Sequence, residues 1–301
     1  MRNEIAVAPP GHVGWEEDGE VTARSMLAIT LWRLRRSHTA MAGLAIVCLL
    51  LLVALLADVL APYSPIQTTP HNMETPGWRH PMGTDLLGRD VLSRIIYGSR
   101  VSVYVGVVAT LLGTLLGVPL GMVAGFYGGW LDNLIMRLMD VLLAFPIFLL
   151  AIVLMVILEP STTNVVLALA IVRIPILARI VHGSVLSVKE NEYIEAVKAL
   201  ALSQVRVLGR HVLPNCLAPI IVTSTLNIGT AIVIEASLSF LGLGTQPPTP
   251  TWGWDLKQNL TLIEINPWIT IFPGLAILVT VLAFNLLGDG LRDALDPRLK
   301  A

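Results

Sequence analysis

Six long runs of apolar residues constrain the fold of this chain more than any other feature of its sequence. A bilayer core about 30 Å thick is spanned by an α-helix of roughly 20 apolar residues. The runs are continuously apolar and do not alternate, which argues against the strands of a transmembrane β-barrel. The sequence therefore predicts an all-α membrane protein with six transmembrane helices. The runs lie at about 41–60, 101–125, 138–158, 163–181, 216–243 and 269–288.

The composition also indicates a membrane protein. Of the 301 residues, 54% are hydrophobic and only 14% are charged, whereas about 25% of the residues in soluble proteins are charged. The formal net charge is -1 and no long basic or acidic block occurs, so neither a nucleic-acid partner nor strong attachment to lipid headgroups is indicated. The two cysteines, Cys48 and Cys216, lie in or beside predicted spans, where they are expected to act as small apolar residues and not as a disulfide framework.

The distribution of Lys and Arg predicts the orientation. With the amino terminus inside, 15 of the 20 Lys and Arg residues fall on the inner side. Cytoplasmic loops of membrane proteins carry an excess of these residues, so we expect both termini in the cytoplasm. The five on the outer side are Arg79, Arg89, Arg94, Arg100 and Lys257.

This orientation divides the chain into segments with different environments. Two cytoplasmic tails and an extracytoplasmic segment flank the predicted helices, and two longer loops lie within the core. The segments are a cytoplasmic amino-terminal tail (1–38), the first transmembrane helix (39–61), an extracytoplasmic segment (62–100), a core of five further transmembrane helices (101–290) with a cytoplasmic loop (182–215) and an extracytoplasmic loop (244–268), and a cytoplasmic carboxy-terminal tail (291–301).

The extracytoplasmic segment contains a pattern typical of an interfacial helix. Gly83, Thr84 and Asp85 provide a capping signal, and the apolar residues that follow recur at three- and four-residue steps. This pattern predicts a short amphipathic helix lying at the membrane surface. Simple interfacial packing and a role in gating or docking are both compatible with such a helix.

The second apolar run carries four glycines at strict four-residue spacing, Gly113, Gly117, Gly121 and Gly125. In lipid there is little hydrophobic drive between helices, so small residues act by letting two backbones approach closely. We interpret these glycines as a helix-packing seam and not as a substrate surface. Pro119 lies in the same run and should kink the helix, which neighbouring helices can tolerate.

Glu235 is the one acidic residue well inside a late apolar run. A carboxylate in hydrocarbon costs at least a few kcal/mol, so it should face the bundle interior and be paired, hydrogen-bonded or protonated. It is a candidate gate or pathway residue, and a structural hydrogen bond at a subunit interface is the alternative.

Several catalytic motifs are absent from the sequence. It contains no phosphate-binding loop and no Gly-Lys dipeptide, so the chain is not expected to hydrolyse ATP. It also lacks the His-Glu-x-x-His and Gly-x-Ser-x-Gly motifs of hydrolases. No cluster of His or Cys on the spans suggests a metal site. We therefore expect neither catalytic residues nor metal ligands in this chain.

A polar stretch at 192–215 interrupts the apolar runs on the predicted cytoplasmic side. Its Gly, Asn, Ser and Pro residues divide it into two short helical stretches, with Ser203 a plausible cap for the second. The stretch resembles the EAA loop of ABC-importer permeases, which in that family docks into a cytoplasmic ATPase. The candidate coupling residues are Glu195, Ala196, Lys198, Ala201, Gly209, His211, Leu213 and Pro214.

Two positions depart from the family's loop. Val197 stands where a second alanine is common, and Ala201 stands where a glycine is usual. Ala201 is still small, but alanine reaches a positive φ less easily than glycine. We therefore expect the turn between the two helical stretches to differ from the family's.

Further segments resemble the "C" permease of dipeptide, oligopeptide and nickel importers, and in the family's order they cover about 36–300. The resemblance implies the fold of a type I ABC importer permease with a cytoplasmic coupling-helix loop. It also implies a prokaryotic cell (inner) membrane location, a second homologous permease subunit, two ATP-binding subunits that bind ATP and Mg, and an extracytoplasmic substrate-binding protein. No cofactor is implied for this chain. The segments are 80–94, 235–244, 247–253 and 285–298.

The expected function is that of a permease subunit forming half of the path for peptides or a similar small solute, by alternating access. The alternative is a proton-coupled secondary transporter in which Glu235 carries the proton. The sequence leaves the cargo open among a dipeptide, a longer peptide, a nickel chelate and another solute.

Overall fold

The computed structural model describes residues 32–194 and 202–295. The predicted helical architecture is confirmed in these residues, whose one β pairing is an isolated bridge between Thr84 and Asp90. The helices, numbered in chain order, are α1 (His38–Leu55), α2 (Ala57–Leu60), α3 (Val91–Tyr127), α4 (Gly129–Leu143), α5 (Ile147–Leu158), α6 (Thr162–Lys189), α7 (Gln204–Val207), a π-helical turn (Leu208–Val212), α8 (Leu213–Leu241), α9 (Trp252–Asn259), a 3-10 turn (Leu260–Leu262) and α10 (Trp268–Leu295).

Five helices of the described chain are long and apolar enough to cross a membrane, and the number rises to six if a bent pair of helices is counted as one span. The five are α1, α3, α6, the continuous stretch Gln204–Leu241 and α10. The bent pair is α4 and α5. These spans correspond to the six apolar runs, as the sequence predicts.

The run at 138–158 does not form the single helix expected from its hydropathy. α4 begins earlier, at Gly129, and α5 meets it at an angle of 89°. Pro146 precedes the first residue of α5. Proline disfavours helical φ and ψ in the residue before it and has no N–H to donate within the helix, so the span is broken at this position.

The separate amphipathic helix expected after Asp85 was a wrong prediction. The Asp85 carboxylate instead accepts hydrogen bonds from the backbone N–H of Leu87 and Arg89, both at 2.9 Å, which closes a turn. Asp90 is the true N-cap, because its carboxylate accepts the Ser93 N–H at 2.8 Å. The apolar residues from Val91 onward therefore form the first turns of α3, a continuous helix of 37 residues.

α3 and α6 pack closely along the glycine seam. A Cβ atom placed on Gly113 would lie 2.8 Å from the Arg173 Cβ, and one on Gly117 would lie 2.8 Å from the Ile174 carbonyl oxygen. Gly121 faces the Ala178 carbonyl oxygen in the same way. Side chains larger than hydrogen do not fit here without moving the helices apart, since backbone atoms provide most of the opposing surface.

The helices continue beyond the apolar runs on the predicted cytoplasmic side. α6 extends to Lys189 and α10 extends to Leu295, both several residues past the ends of the apolar runs at 163–181 and 269–288. A helix keeps its backbone hydrogen bonds after its side chains become polar, so hydropathy marks the membrane and not the helix end. On the opposite side, α9 in the loop 244–268 packs under α3, and the Trp252 indole donates to the Ile95 carbonyl at 3.0 Å.

Candidate functional site

The candidate coupling loop has a well-packed base. Ile194 is fully buried, as are Val181 on α6 and Cys216 on α8, and all three belong to one apolar cluster. The two sides of the loop also share hydrogen bonds. The Asn215 amide donates to the Tyr193 hydroxyl at 3.0 Å and to the His211 carbonyl at 2.7 Å. The chain therefore enters and leaves the loop from one packed platform.

The second side of the loop is not the isolated short helix that the sequence suggested. α7 begins after Ser203, whose side chain makes no capping hydrogen bond, and continues through the π-helical turn into α8. Gly209 and His211 lie inside this turn, Leu213 is the first residue of α8, and Pro214 follows it. The continuous helix passes through Pro214, and the π-helical turn just before it is the local departure from the α-helical hydrogen-bond pattern.

Four of the predicted coupling residues lie outside the described residues. They are Glu195, Ala196, Lys198 and Ala201. Val197, at which the motif departs from the family's, lies in the same interval.

Polar contacts tie the ends of three helices together beside the loop, on the predicted cytoplasmic side. The Lys189 ammonium at the end of α6 donates to the Phe126 carbonyl near the end of α3 at 2.8 Å. Arg179 on α6 pairs with Asp140 on α4. His182 Nε2, also on α6, lies 2.9 Å from the Asp132 carboxylate of α4. This partner lies on another helix, so no spacing within α6 indicates it.

Glu235 lies near the outer end of α8 and is fully buried. The Ser239 hydroxyl donates to Glu235 Oε1 at 2.8 Å, and Oε2 has no hydrogen-bond partner among the described residues. No basic side chain of the described chain pairs with Glu235. The carboxylate is thus held by its own helix, one turn further on. The hydrogen bond lies within one subunit and not between two, and the role of Glu235 stays a prediction.

A second buried ionisable group, Arg173, lies near the middle of α6 and was not singled out from the sequence. Its guanidinium donates to Asn227 Oδ1 at 2.7 Å and to Thr230 Oγ1 at 2.6 Å, both on α8. Arg173 is 3% exposed. The sequence feature that could have identified Arg173 is a single arginine inside an apolar run. Averaging hydropathy over the run hides this residue.

The extracytoplasmic segment carries a network of buried charges. Asp255 on α9 pairs with Arg94 on α3, and the Arg94 Nη1 also donates to the Pro65 carbonyl at 3.0 Å. Arg89 Nε donates to the Asp85 carboxylate at 2.6 Å. Burial raises the pKa of the Asp255 carboxyl above its ordinary value, and the Arg94 guanidinium opposes this change. The network fixes the two outer loops to the start of α3.

No group of three or more His, Cys, Asp or Glu side chains that could hold a metal ion occurs among the described residues. Ser184 does not form a nucleophile with its neighbour His182, because the Ser184 hydroxyl donates to the Ile180 carbonyl at 2.9 Å. The groups described above can bind, pack and transmit motion, and they do not form a recognisable catalytic arrangement.

Comparison with known proteins identifies the family. Residues 117–301 match the model described as a binding-protein-dependent transport system inner membrane component, and residues 25–76 match the N-terminal TM domain of oligopeptide transport permease C. The chain belongs to this family of ABC-importer permeases. It is therefore a multi-pass membrane protein and a transport subunit of an ABC importer.

The permease is similar to curated relatives over most of its length. It is 45% identical over 280 residues to the dipeptide transport system permease protein DppC of Alkalihalophilus pseudofirmus, covering 91% of this chain and 92% of the relative. It is 49% identical over 270 residues to the glutathione transport system permease protein GsiD of Shigella flexneri serotype 5b, covering 89% of each. The matches give no support to the alternative of a proton-coupled carrier built on Glu235.

The fold of the permease is that of a type I importer. It matches a chain of the inward-facing MetNI methionine ABC transporter with a TM-score of 0.57 at 17% identity. The match covers 67% of this chain and 96% of the MetNI chain. At this identity the likeness establishes the fold, and the cargo of that transporter carries no weight for this permease.

Proposed function

We propose that this permease forms half of a translocation pathway for peptides or similar small solutes. The other half is a second homologous permease subunit, and a binding protein on the extracytoplasmic side delivers the cargo. The observation that supports this proposal is the similarity, across about nine tenths of the chain, to relatives named for dipeptide and glutathione transport. Nickel chelates, also suggested by the resemblance, gain no support from these relatives.

Two ATP-binding subunits, which bind ATP and Mg, supply the energy in this proposal. Their contact is the loop that contains Glu195, Ala196 and Lys198, with both termini of the permease on the same cytoplasmic side. The packed base of the loop supports this role, because Tyr193 on its first side is bonded to Asn215 on its second. A loop held at both ends transmits a displacement to the helices instead of absorbing it.

Reconstitution tests the function directly. The permease is assembled with its homologous partner, the two ATP-binding subunits and the binding protein in proteoliposomes, and uptake of radiolabelled dialanine and of glutathione is measured. Uptake that requires both ATP and the binding protein, and that persists with a protonophore at constant ATP, is the expected result. Uptake that collapses with the protonophore and ignores ATP would contradict the proposal.

The coupling role is tested separately with Ala196→Arg. A bulky charge on a surface that must accept another protein should abolish uptake and binding-protein-stimulated ATPase activity while the permease stays in the membrane. Gly183→Ala provides a comparison in the loop 182–215, because a Cβ at Gly183 meets no atom of the described residues within 4 Å. Normal transport by a well-expressed Ala196→Arg complex would remove the loop from the ATPase contact.

A further inference from the structure

Arg173 is a buried charge in the membrane whose counter-charge is missing from the described chain. Its two hydrogen-bond partners, Asn227 and Thr230, are a neutral amide and a neutral hydroxyl. No carboxylate in 32–194 or 202–295 forms an ion pair with it. A cation at this depth is costly, and such residues in membrane spans are almost always paired or placed on a substrate pathway. A group outside these residues should therefore provide the negative charge.

The same cluster holds hydrogen-bond donors that the described residues leave without acceptors. Arg173 Nε and Asn227 Nδ2 are both buried and have no hydrogen-bond partner. A buried donor without an acceptor costs about 1–3 kcal/mol. The two unused donors and the positive charge of the guanidinium would all be satisfied by one negatively charged group that accepts hydrogen bonds. A carboxylate has this chemistry, since it accepts hydrogen bonds at two oxygens and pairs with guanidinium in a planar fork.

The cluster reaches the surface of the subunit at Thr230. Arg173 itself is buried, but its Nη2 donates to the Thr230 hydroxyl, and Thr230 is exposed on α8. The Ser237 hydroxyl lies two turns further along the same face of α8 and donates to the Val233 carbonyl at 2.8 Å. The exposed face of α8 at Thr230 therefore offers a polar route from the subunit surface to the guanidinium.

We propose that Arg173 and Asn227 form a mid-membrane binding site for a carboxylate group of the cargo, entered past Thr230. The proposal deepens the peptide-import function and depends on it, since dipeptides and glutathione carry at least one carboxylate. Arg173 lies near the middle of α6 and Asn227 near the middle of α8. The site would thus be reached after the binding protein has released its ligand and before the cargo enters the cytoplasm.

The alternative occupant is a carboxylate of the second permease subunit. That pairing would give Arg173 a role in assembly of the complex and not in transport. The two possible occupants therefore predict different effects when Arg173 is replaced. Removing a cargo contact slows uptake in an intact complex. Removing an inter-subunit ion pair weakens the complex itself, because the partner's charge is left buried and unpaired.

The test uses the complete reconstituted complex with radiolabelled dialanine and glutathione as probes. In Arg173→Gln we expect uptake to fall roughly tenfold or more, as for the loss of a hydrogen-bonded charge pair. Complex yield and binding-protein-stimulated ATPase activity should stay near wild type. Arg173→Lys keeps the charge but not the fork, so it should recover a substantial part of the uptake. Arg179→Gln, which removes an exposed arginine from the same helix, is the matched control and should keep most of the uptake.

A second variant separates cargo binding from helix packing. Thr230→Val removes a hydrogen-bond partner of the guanidinium and leaves the positive charge in place, so a cargo site predicts a smaller loss than in Arg173→Gln. Uptake within twofold of wild type in Arg173→Gln would overturn the proposal. So would a joint loss of assembly, ATPase activity and uptake, whether or not Lys restores them, because loss of the complex itself identifies an inter-subunit or packing role. Absence of uptake by the wild-type complex would instead contradict the peptide-import function.

Discussion

The close contact between α3 and α6 makes a quantitative prediction at Gly121. A Cβ atom on Gly121 would overlap the Ala178 carbonyl oxygen and would lie 2.9 Å from the Val181 Cβ. Gly183 is also within α6, but a Cβ placed there meets no atom of the described residues within 4 Å. Gly121→Ala and Gly183→Ala therefore make the same chemical change in two helices. The added methyl group is obstructed at Gly121 and has free space at Gly183.

The expected effects follow from two opposing contributions. Replacing a helical glycine by alanine favours the helix by roughly 0.5–1 kcal/mol. This gain applies alone at Gly183. At Gly121 it is opposed by overpacking, which costs about 1–3 kcal/mol when the opposing atoms cannot move away. Since the backbone of α6 cannot rotate aside like a side chain, we expect the overpacking cost to dominate there.

Thermal unfolding of the purified permease compares the two variants. The two variants differ in stability by the overpacking cost of about 1–3 kcal/mol. In a chain above 150 residues each kcal/mol changes the melting temperature by about 2–4 °C, so the two midpoints should be separated by roughly 2–12 °C. Gly183→Ala should unfold at or above the wild-type temperature, and Gly121→Ala below it. Midpoints of the two variants that agree within about 1 °C would refute the proposed packing seam.

Three further predictions concern the charged groups. Asp255→Asn leaves the buried Arg94 without its counter-charge and should lower the free energy of unfolding by about 3–5 kcal/mol. The outer loops should then be cleaved faster by a protease than in the wild type, and equal cleavage rates would contradict this prediction. Asp140→Arg should lower stability by less than about 1 kcal/mol because its pair with Arg179 is exposed, and adding Arg179→Asp should restore the melting temperature if the contact is direct. Glu235→Gln should preserve ATP-driven uptake if the Glu235 side chain is structural, whereas loss of uptake from a stable complex would assign it to the pathway.

The sequence predicts the spans well because each depends on a local property, the average polarity of about 20 residues. It predicts the glycine positions for the same reason, since the period of the stripe is visible within one helix. The broken span was missed because Pro146 lies in a run that is apolar on both sides. Hydropathy alone does not distinguish a straight span from a bent pair.

The polar contacts were missed for a different reason, which is their distance along the chain. Arg94 and Asp255 are 161 residues apart, and Arg173 and Asn227 are 54 residues apart. Neither pair forms a motif, since no spacing within one helix brings the partners together. The start of α3 was misplaced by competing signals, because Asp85 and Asp90 are both acceptable caps and only the turn between them decides which one begins the helix.

The fixed contacts lie along one helix pair, and this placement limits how the permease can move. α3 is joined to the outer loops by Arg94, packed against α6 by its glycines, and bonded near its inner end to Lys189. At 1.5 Å per residue its 37 residues extend about 55 Å, so the pair connects both faces of the membrane. The sharp bend of the described spans lies beside this pair, between α4 and α5. A displacement of the coupling loop should therefore tilt α3 and α6 together as one body and change the angle at Pro146. Arg173 lies on the rigid side of that bend. It would keep its position relative to α8 only if α8 moves with the pair.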